Sequence, residues 1–160
     1  MQLTPHDRSC FDRAIQLALK AEAEGNLPIG AVIALNGEII AEGRNAIWSP
    51  VHNPNRHAEI EALRAVPEHF WPQSRKMMLY STLEPCMMCM GAIYLHRIGR
   101  LLYGAADDYG GASCVRGHMP QFFETQAEST LWIGPADPAR CDPLFERTMQ
   151  LISARREDQV

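Results

Sequence analysis

An α/β fold, with a mixed sheet covered by helices on both faces, is predicted by three features of the 160-residue sequence. The dipeptide Asn36-Gly37 between two apolar runs marks an antiparallel hairpin. Strand-like, helix-like and strand-like segments then follow one another between Met77 and Gly104, which implies a parallel pair with a right-handed crossover. Helical periodicity near both ends supplies cover for the sheet.

Each element has a local reason. Thr4-Pro5-His6-Asp7 reads as a helix start, with Thr as cap, Pro in the first helical position and an acid three residues after the cap. Phe11, Ile15, Ala18 and Leu19 then form an apolar face that ends at Gly25. Pro28-Ile29-Gly30 opens a strand through Leu35, and Glu38 to Gly43 returns it, both expected to be deeply buried. Arg44 to Arg56 is a polar, proline-punctuated loop, and a helix follows from His57 to Val66. A strand at Met77–Thr82, a helix from Cys86 through Leu95 and a strand at Leu101–Gly104 come next. Ala105 to Glu128 carries no clear signal beyond a short helix near Gln121-Phe122-Phe123. Thr130–Ile133 reads as a last strand, and Asp142-Pro143 starts a final helix with Met149 and Ile152 on its apolar face.

Composition narrows the class. At 46% hydrophobic, the chain is expected to form a single domain over residues 1–160. No stretch resembles a secretory signal or approaches a membrane span, so a cytoplasmic protein with no membrane partner is expected. Five cysteines (Cys10, Cys86, Cys89, Cys114 and Cys141) are an odd set, which favours metal ligation over a disulfide framework. The formal charge of −4 has the wrong sign for a protein that lives on phosphate backbones, and the thirteen arginines are scattered.

Two short stretches carry the chemistry. In Pro85-Cys86-Met87-Met88-Cys89 the cysteines lie three apart at the start of a helix, on one face and near its positive end, where thiolates are favoured. That is half a zinc site. His57-Ala58-Glu59 adds an imidazole and, two residues on, a carboxylate. One imidazole and two thiolates leave a fourth position for water, the pattern of a catalytic zinc. Taken singly, His57 and Glu59 fit an ordinary helix start, and Cys86 and Cys89 fit buried thiols or a redox pair. Jointly they match the zinc nucleobase deaminase signature His-x-Glu followed by Pro-Cys-x-x-Cys, in which the glutamate carries protons and is not a ligand. Met87, Met88 and Met90 read as adaptable packing.

From these motifs the chain resembles the cytidine deaminase-like superfamily, within its tRNA adenosine deaminase and guanine/cytosine deaminase branch. The resemblance runs from Asn26 to Tyr109, through Pro28-Ile29-Gly30-Ala31-Val32, Gly43-Arg44-Asn45, His57-Ala58-Glu59-Ile60 and Thr82-Leu83-Glu84-Pro85-Cys86 to Gly99-Arg100. It implies a three-layer α/β/α sandwich with a central mixed sheet, a Zn2+ cofactor and hydrolytic release of ammonia from a base. It also implies a homodimer. On this resemblance His57, Cys86 and Cys89 bind zinc, and Glu59 is the catalytic proton shuttle. Asn45 hydrogen-bonds the base or sugar, and the main-chain amide of Cys86 holds the attacking water. Trp48, in the loop leading to His57, either stacks on a base or caps the core.

Departures from the tRNA-editing pattern set the expectation for substrate. The chain reads Asn53-Pro54-Asn55-Arg56 before its histidine and Gly110-Gly111-Ala112 after Asp107-Asp108-Tyr109. Its residues 140–160 balance Arg140, Arg147, Arg155 and Arg156 against Asp142, Glu146, Glu157 and Asp158. A free base or nucleoside is therefore expected, with Asp107 and Asp108 accepting hydrogen bonds from an amino-substituted ring such as guanine. The alternative is a tRNA adenosine-to-inosine editing deaminase. A second is a non-catalytic zinc-binding subunit, against which the presence of Glu59 argues.

Overall fold

The computed structural model describes residues 2–157; Asp158 and the side chain of Glu157, counted in the terminal charge balance, lie outside the described part. Five strands form one mixed sheet in the order β2-β1-β3-β4-β5: β1 (Gly30–Leu35), β2 (Glu38–Arg44), β3 (Met78–Leu83), β4 (Arg100–Ala105) and β5 (Leu131–Ile133). β1 runs antiparallel to both β2 and β3, whereas β3, β4 and β5 are mutually parallel. The hairpin and the crossover are thus where the sequence places them. α1 (Pro5–Ala23) and α5 (Pro138–Glu157) cover one face. α2 (Ala58–Ala65) packs on the other beside α3 (Met87–Leu95), and α4 (Gln121–Glu128) packs against α3.

α1 begins with a full capping box: the Thr4 hydroxyl accepts from the Asp7 amide, and Asp7 accepts from the Thr4 amide. Its buried stripe is Cys10, Phe11, Ala14, Leu17, Ala18 and Ala21, so Leu19 points to solvent, where the sequence reading had placed it inward. Asp7 also accepts a 2.8 Å hydrogen bond from the hydroxyl of buried Tyr80, pinning the helix start to β3.

Only one arm of the hairpin meets the expectation of deep burial. β1, central in this part of the sheet, is buried throughout; β2 is the edge strand, and its side chains are mostly half-buried or exposed. Glu42 on that edge pairs with Arg13 of α1. A 3-10 segment over Glu68–Lys76, absent from the sequence-based expectation, joins α2 to β3. The unassigned stretch resolves into a 3-10 turn at Ala112–Val115 and α4. α5 starts at Pro138, more than a turn before the expected Asp142: Pro138 holds the first position, where a proline forfeits no helical hydrogen bond, and Pro143, which suggested the later start, lies inside the helix.

α2 lies unusually close to the sheet. A Cβ on Gly43 of β2 would sit 2.1 Å from the Ala58 carbonyl oxygen and 2.3 Å from the Ala62 nitrogen, so only glycine admits this approach. That contact sets the height of the α2 N-terminus, where the first functional residues stand.

Candidate active site

His57 and Cys86 are the N-cap residues of α2 and α3, and neither side chain caps its own helix. Both are thereby free to turn towards a common point. His57 Nδ1 lies 3.6 Å from Cys86 Sγ and 3.5 Å from Cys89 Sγ, and the two sulfurs are 3.7 Å apart. A tetrahedral ion bonded at ~2.3 Å to sulfur and ~2.0 Å to nitrogen requires about 3.8 Å between sulfurs and about 3.5 Å from sulfur to nitrogen. The three donors therefore fit one zinc ion without rearrangement.

Electrostatics prepare the same triad. The hydrogen bond shared with Cys89, which outweighs the effect of burial, holds the Cys86 thiol down to about 4, with His57 assisting. That same bond, together with burial, pushes the Cys89 thiol up. The sulfurs thus share a proton and titrate as a pair, and taking up zinc as a dithiolate releases it. His57 is raised, chiefly by its hydrogen bond to Cys86.

Glu59 sits in the first turn of α2, 3% exposed. One carboxylate oxygen accepts from the Ser81 hydroxyl at 2.9 Å, and the other lies 3.4 Å from Cys89 Sγ. Burial raises its pKa, against the pull of His57.

His57, Glu59 and Cys86 line a cavity of about 120 Å³, several times the ~30 Å³ share of a water molecule. Its walls come from distant parts of the chain: Leu27 and Ile29 before β1, Asn45 after β2, Asp107 and Tyr109 after β4, and Phe145, Thr148, Met149 and Ile152 of α5. Asn45 is 1% exposed, and its side-chain nitrogen has no hydrogen-bond partner. A buried donor left open on a cavity wall is suited to a ligand.

Of the expected substrate residues, Asn45 and Asp107 are on that wall, while Trp48 and Asp108 are not. Asp107 Oδ1 accepts from the amides of Tyr109 and Gly110, so much of its carboxylate serves its own turn. Asp108 is exposed. Trp48 lines a second cleft with His52, Ile152, Arg155 and Arg156, and the two clefts share Ile152. Met87 and Met88, expected to pack, are 63% and 37% exposed, and of the three only Met90 is buried. Sequence reasoning missed Ser81 and Glu84; the available signal was the polar pair Ser81-Thr82 inside a buried strand and a charged side chain just past its end.

Residues 4–105 match the family described as the cytidine and deoxycytidylate deaminase zinc-binding region. The chain belongs to that family. It is a zinc-dependent deaminase, a hydrolase acting on C–N bonds, with zinc bound by His57, Cys86 and Cys89. The chain is 44% identical over 121 residues to a tRNA-specific adenosine deaminase of Haemophilus influenzae, covering 70% of this chain and 68% of that one. It spans about two thirds of the length of several such relatives. One solved structure, from studies of A-to-I editing by tRNA:A34 deaminases at the wobble position of transfer RNA, aligns with a TM-score of 0.69 at 31% identity, over 86% of this chain and 99% of that one. A guanine deaminase structure from Bacillus subtilis aligns with a TM-score of 0.56 at 37% identity, over 62% and 64%. No helix among the described residues is long and apolar enough to cross a membrane.

Proposed function

We propose that this deaminase acts on adenosine in tRNA, converting it to inosine. The observation that carries this reading is the join between the zinc cavity and the second cleft at its mouth. In that cleft the Arg155 guanidinium stacks 4.5 Å above the Trp48 ring, and Arg156 reaches the hydroxyl of Tyr109 on the cavity wall. An aromatic face and two cations beside a base-sized cavity suit a base embedded in a polynucleotide, with flanking bases and phosphates lying outside. The identities of 41–47% to tRNA-specific adenosine deaminases support the same reading.

Two of the readings behind the expectation of a free base are weakened by the side-chain positions. The charge balance of the last helix averaged over all its faces. Arg140 and Arg147 are spent on Asp12, Asp137 and Glu22, whereas Arg155 and Arg156 have no carboxylate partner among the described residues and stand at the rim. The acidic pair meant for an amino-substituted ring is divided between a turn and solvent.

The chemistry follows from the cavity. Bound by its three donors, zinc supplies the Lewis acidity that brings the pKa of water from about 15.7 towards 7. Glu59 takes a proton from the attacking water and delivers it to the ring nitrogen beside the amine-bearing carbon as the new C–O bond forms. It then carries the second proton to the amine, the C–N bond breaks, and ammonia leaves. Its raised pKa, caused by burial, suits a group that must hold a proton between transfers. Asn45 offers its free side-chain N–H to the base or sugar. A single domain and a homodimer complete the proposal.

Ammonia release and inosine formation are measured over an adenosine-bearing anticodon stem-loop, guanine, cytosine, adenine and their nucleosides. Turnover of the stem-loop with guanine inert is expected. Turnover of guanine with the stem-loop inert restores the free-base reading, which the Bacillus subtilis guanine deaminase likeness would then support.

A further inference from the structure

Glu84 lies between β3 and the zinc ligands, 7% exposed, at a position where a charged side chain has no use for solvent. Both its oxygens are taken by main-chain donors: the Asp107 amide donates to Oε2 at 3.1 Å and the Ser113 amide to Oε1 at 2.8 Å. Those two amides bracket the loop that supplies Asp107 and Tyr109 to the cavity wall. The same loop is held to the ligand segment by the Ala112 amide, which donates to the Pro85 carbonyl, and by a bridge between Cys86 and Gly111. Gly111 completes the fit. Its φ of −68° suits any residue, yet a Cβ there would meet the Glu84 carboxyl carbon at 2.5 Å and the Asp107 carbonyl oxygen at the same distance. Its missing side chain therefore serves the close approach of the carboxylate and not the backbone conformation.

We infer that Glu84 is a positioning residue of the active site: it fixes the 107–113 loop as the substrate-facing wall, in register with the zinc ligand Cys86. Its side chain borders the cavity, but both oxygens are committed to the loop amides, so it acts through the main chain of the loop. A carboxylate is suited to the task because it accepts at both oxygens, whereas an amide of the same shape accepts at one and would turn an N–H donor towards another.

The inference rests on the RNA reading only for its choice of substrate. Glu84→Gln, Glu84→Ala and Gly111→Ala are compared with the wild type by zinc content, by hydrogen exchange at the amides of residues 107–113, and by KM and kcat. The kinetics use the anticodon stem-loop, or guanine if the wild type turns over only that. Glu84→Gln is expected to keep its zinc, to lose exchange protection at one of Asp107 and Ser113, and to raise KM about tenfold while kcat changes less, the scale of one charge-assisted hydrogen bond. Glu84→Ala goes further in the same direction. Gly111→Ala, which leaves the carboxylate intact but displaces it, reproduces the exchange result. Unchanged protection at those amides overturns the inference whatever the substrate proves to be. Lost protection with unchanged KM and kcat overturns it too, and loss of zinc in Glu84→Gln would make the residue part of the metal site's fold. A stem-loop that the wild type leaves untouched counts against the RNA reading alone, since the exchange result stands apart from it.

Discussion

At the scale of single residues, His57 and Cys86 stand at the N-cap positions of α2 and α3 and Cys89 lies one turn on, so short-range helix geometry places each of the three zinc donors at a helix start. Glu59 follows His57 by two residues in the first turn of the same helix. Glu59→Gln keeps the ligand set and the hydrogen bond from Ser81 but cannot carry a proton. It is expected to retain zinc and to lose about 10²–10⁴-fold in kcat, measured by metal analysis and ammonia release on one preparation. Ser81 was invisible because its partner lies 22 residues away and meets it only across the sheet surface. Ser81→Ala frees the Glu59 carboxylate to rotate, and a loss of up to about tenfold in kcat is expected, the size of one hydrogen bond to a charged group. Zinc content should be unchanged; an unaltered kcat would leave Ser81 as packing.

At the scale of elements, helices with strong caps and a paired hairpin were read correctly, and the errors cluster where tertiary position decides. Burial of β2 could not be judged from its apolar content, because being an edge is a property of the sheet and not of the strand. The docking of α1 makes the point with a testable number. Burial pushes the Asp7 carboxyl up, but hydrogen bonds from Thr4 and Tyr80 outweigh it and hold the pKa below the ordinary 3.8. A folded-state pKa below the unfolded one means that the stabilisation is complete above 3.8 and disappears as pH falls through the lower, folded value. Asp7→Asn should therefore cost about 1–3 kcal/mol at pH 7, read from urea unfolding, and the gap to wild type should shrink steadily below pH 3.8. A gap independent of pH would mean that Asp7 acts through its shape and not its charge.

At the scale of the whole molecule, the substrate was the least legible feature, since the cavity wall joins Leu27, Asn45, Asp107 and Ile152, residues that only the topology brings together. Net charge misled in the same way: it counts Arg140, which is paired, and Arg155, stacked at the rim, as equals. If the rim holds an RNA backbone, its two arginines should appear in the salt dependence of binding. Each phosphate contact on a single strand contributes about −0.7 to the slope of log K against log salt, so replacing Arg155 and Arg156 by alanine should flatten that slope by up to about 1.4. Binding of the stem-loop should weaken most at low salt, because the released counterions supply the driving force. Trp48→Ala removes the stacking surface but no charge, and is expected to weaken binding with little change of slope. The two variants thus separate stacking from phosphate recognition. A slope that Arg155 and Arg156 leave unaltered would place the backbone elsewhere on the molecule and remove the observation on which the RNA substrate rests.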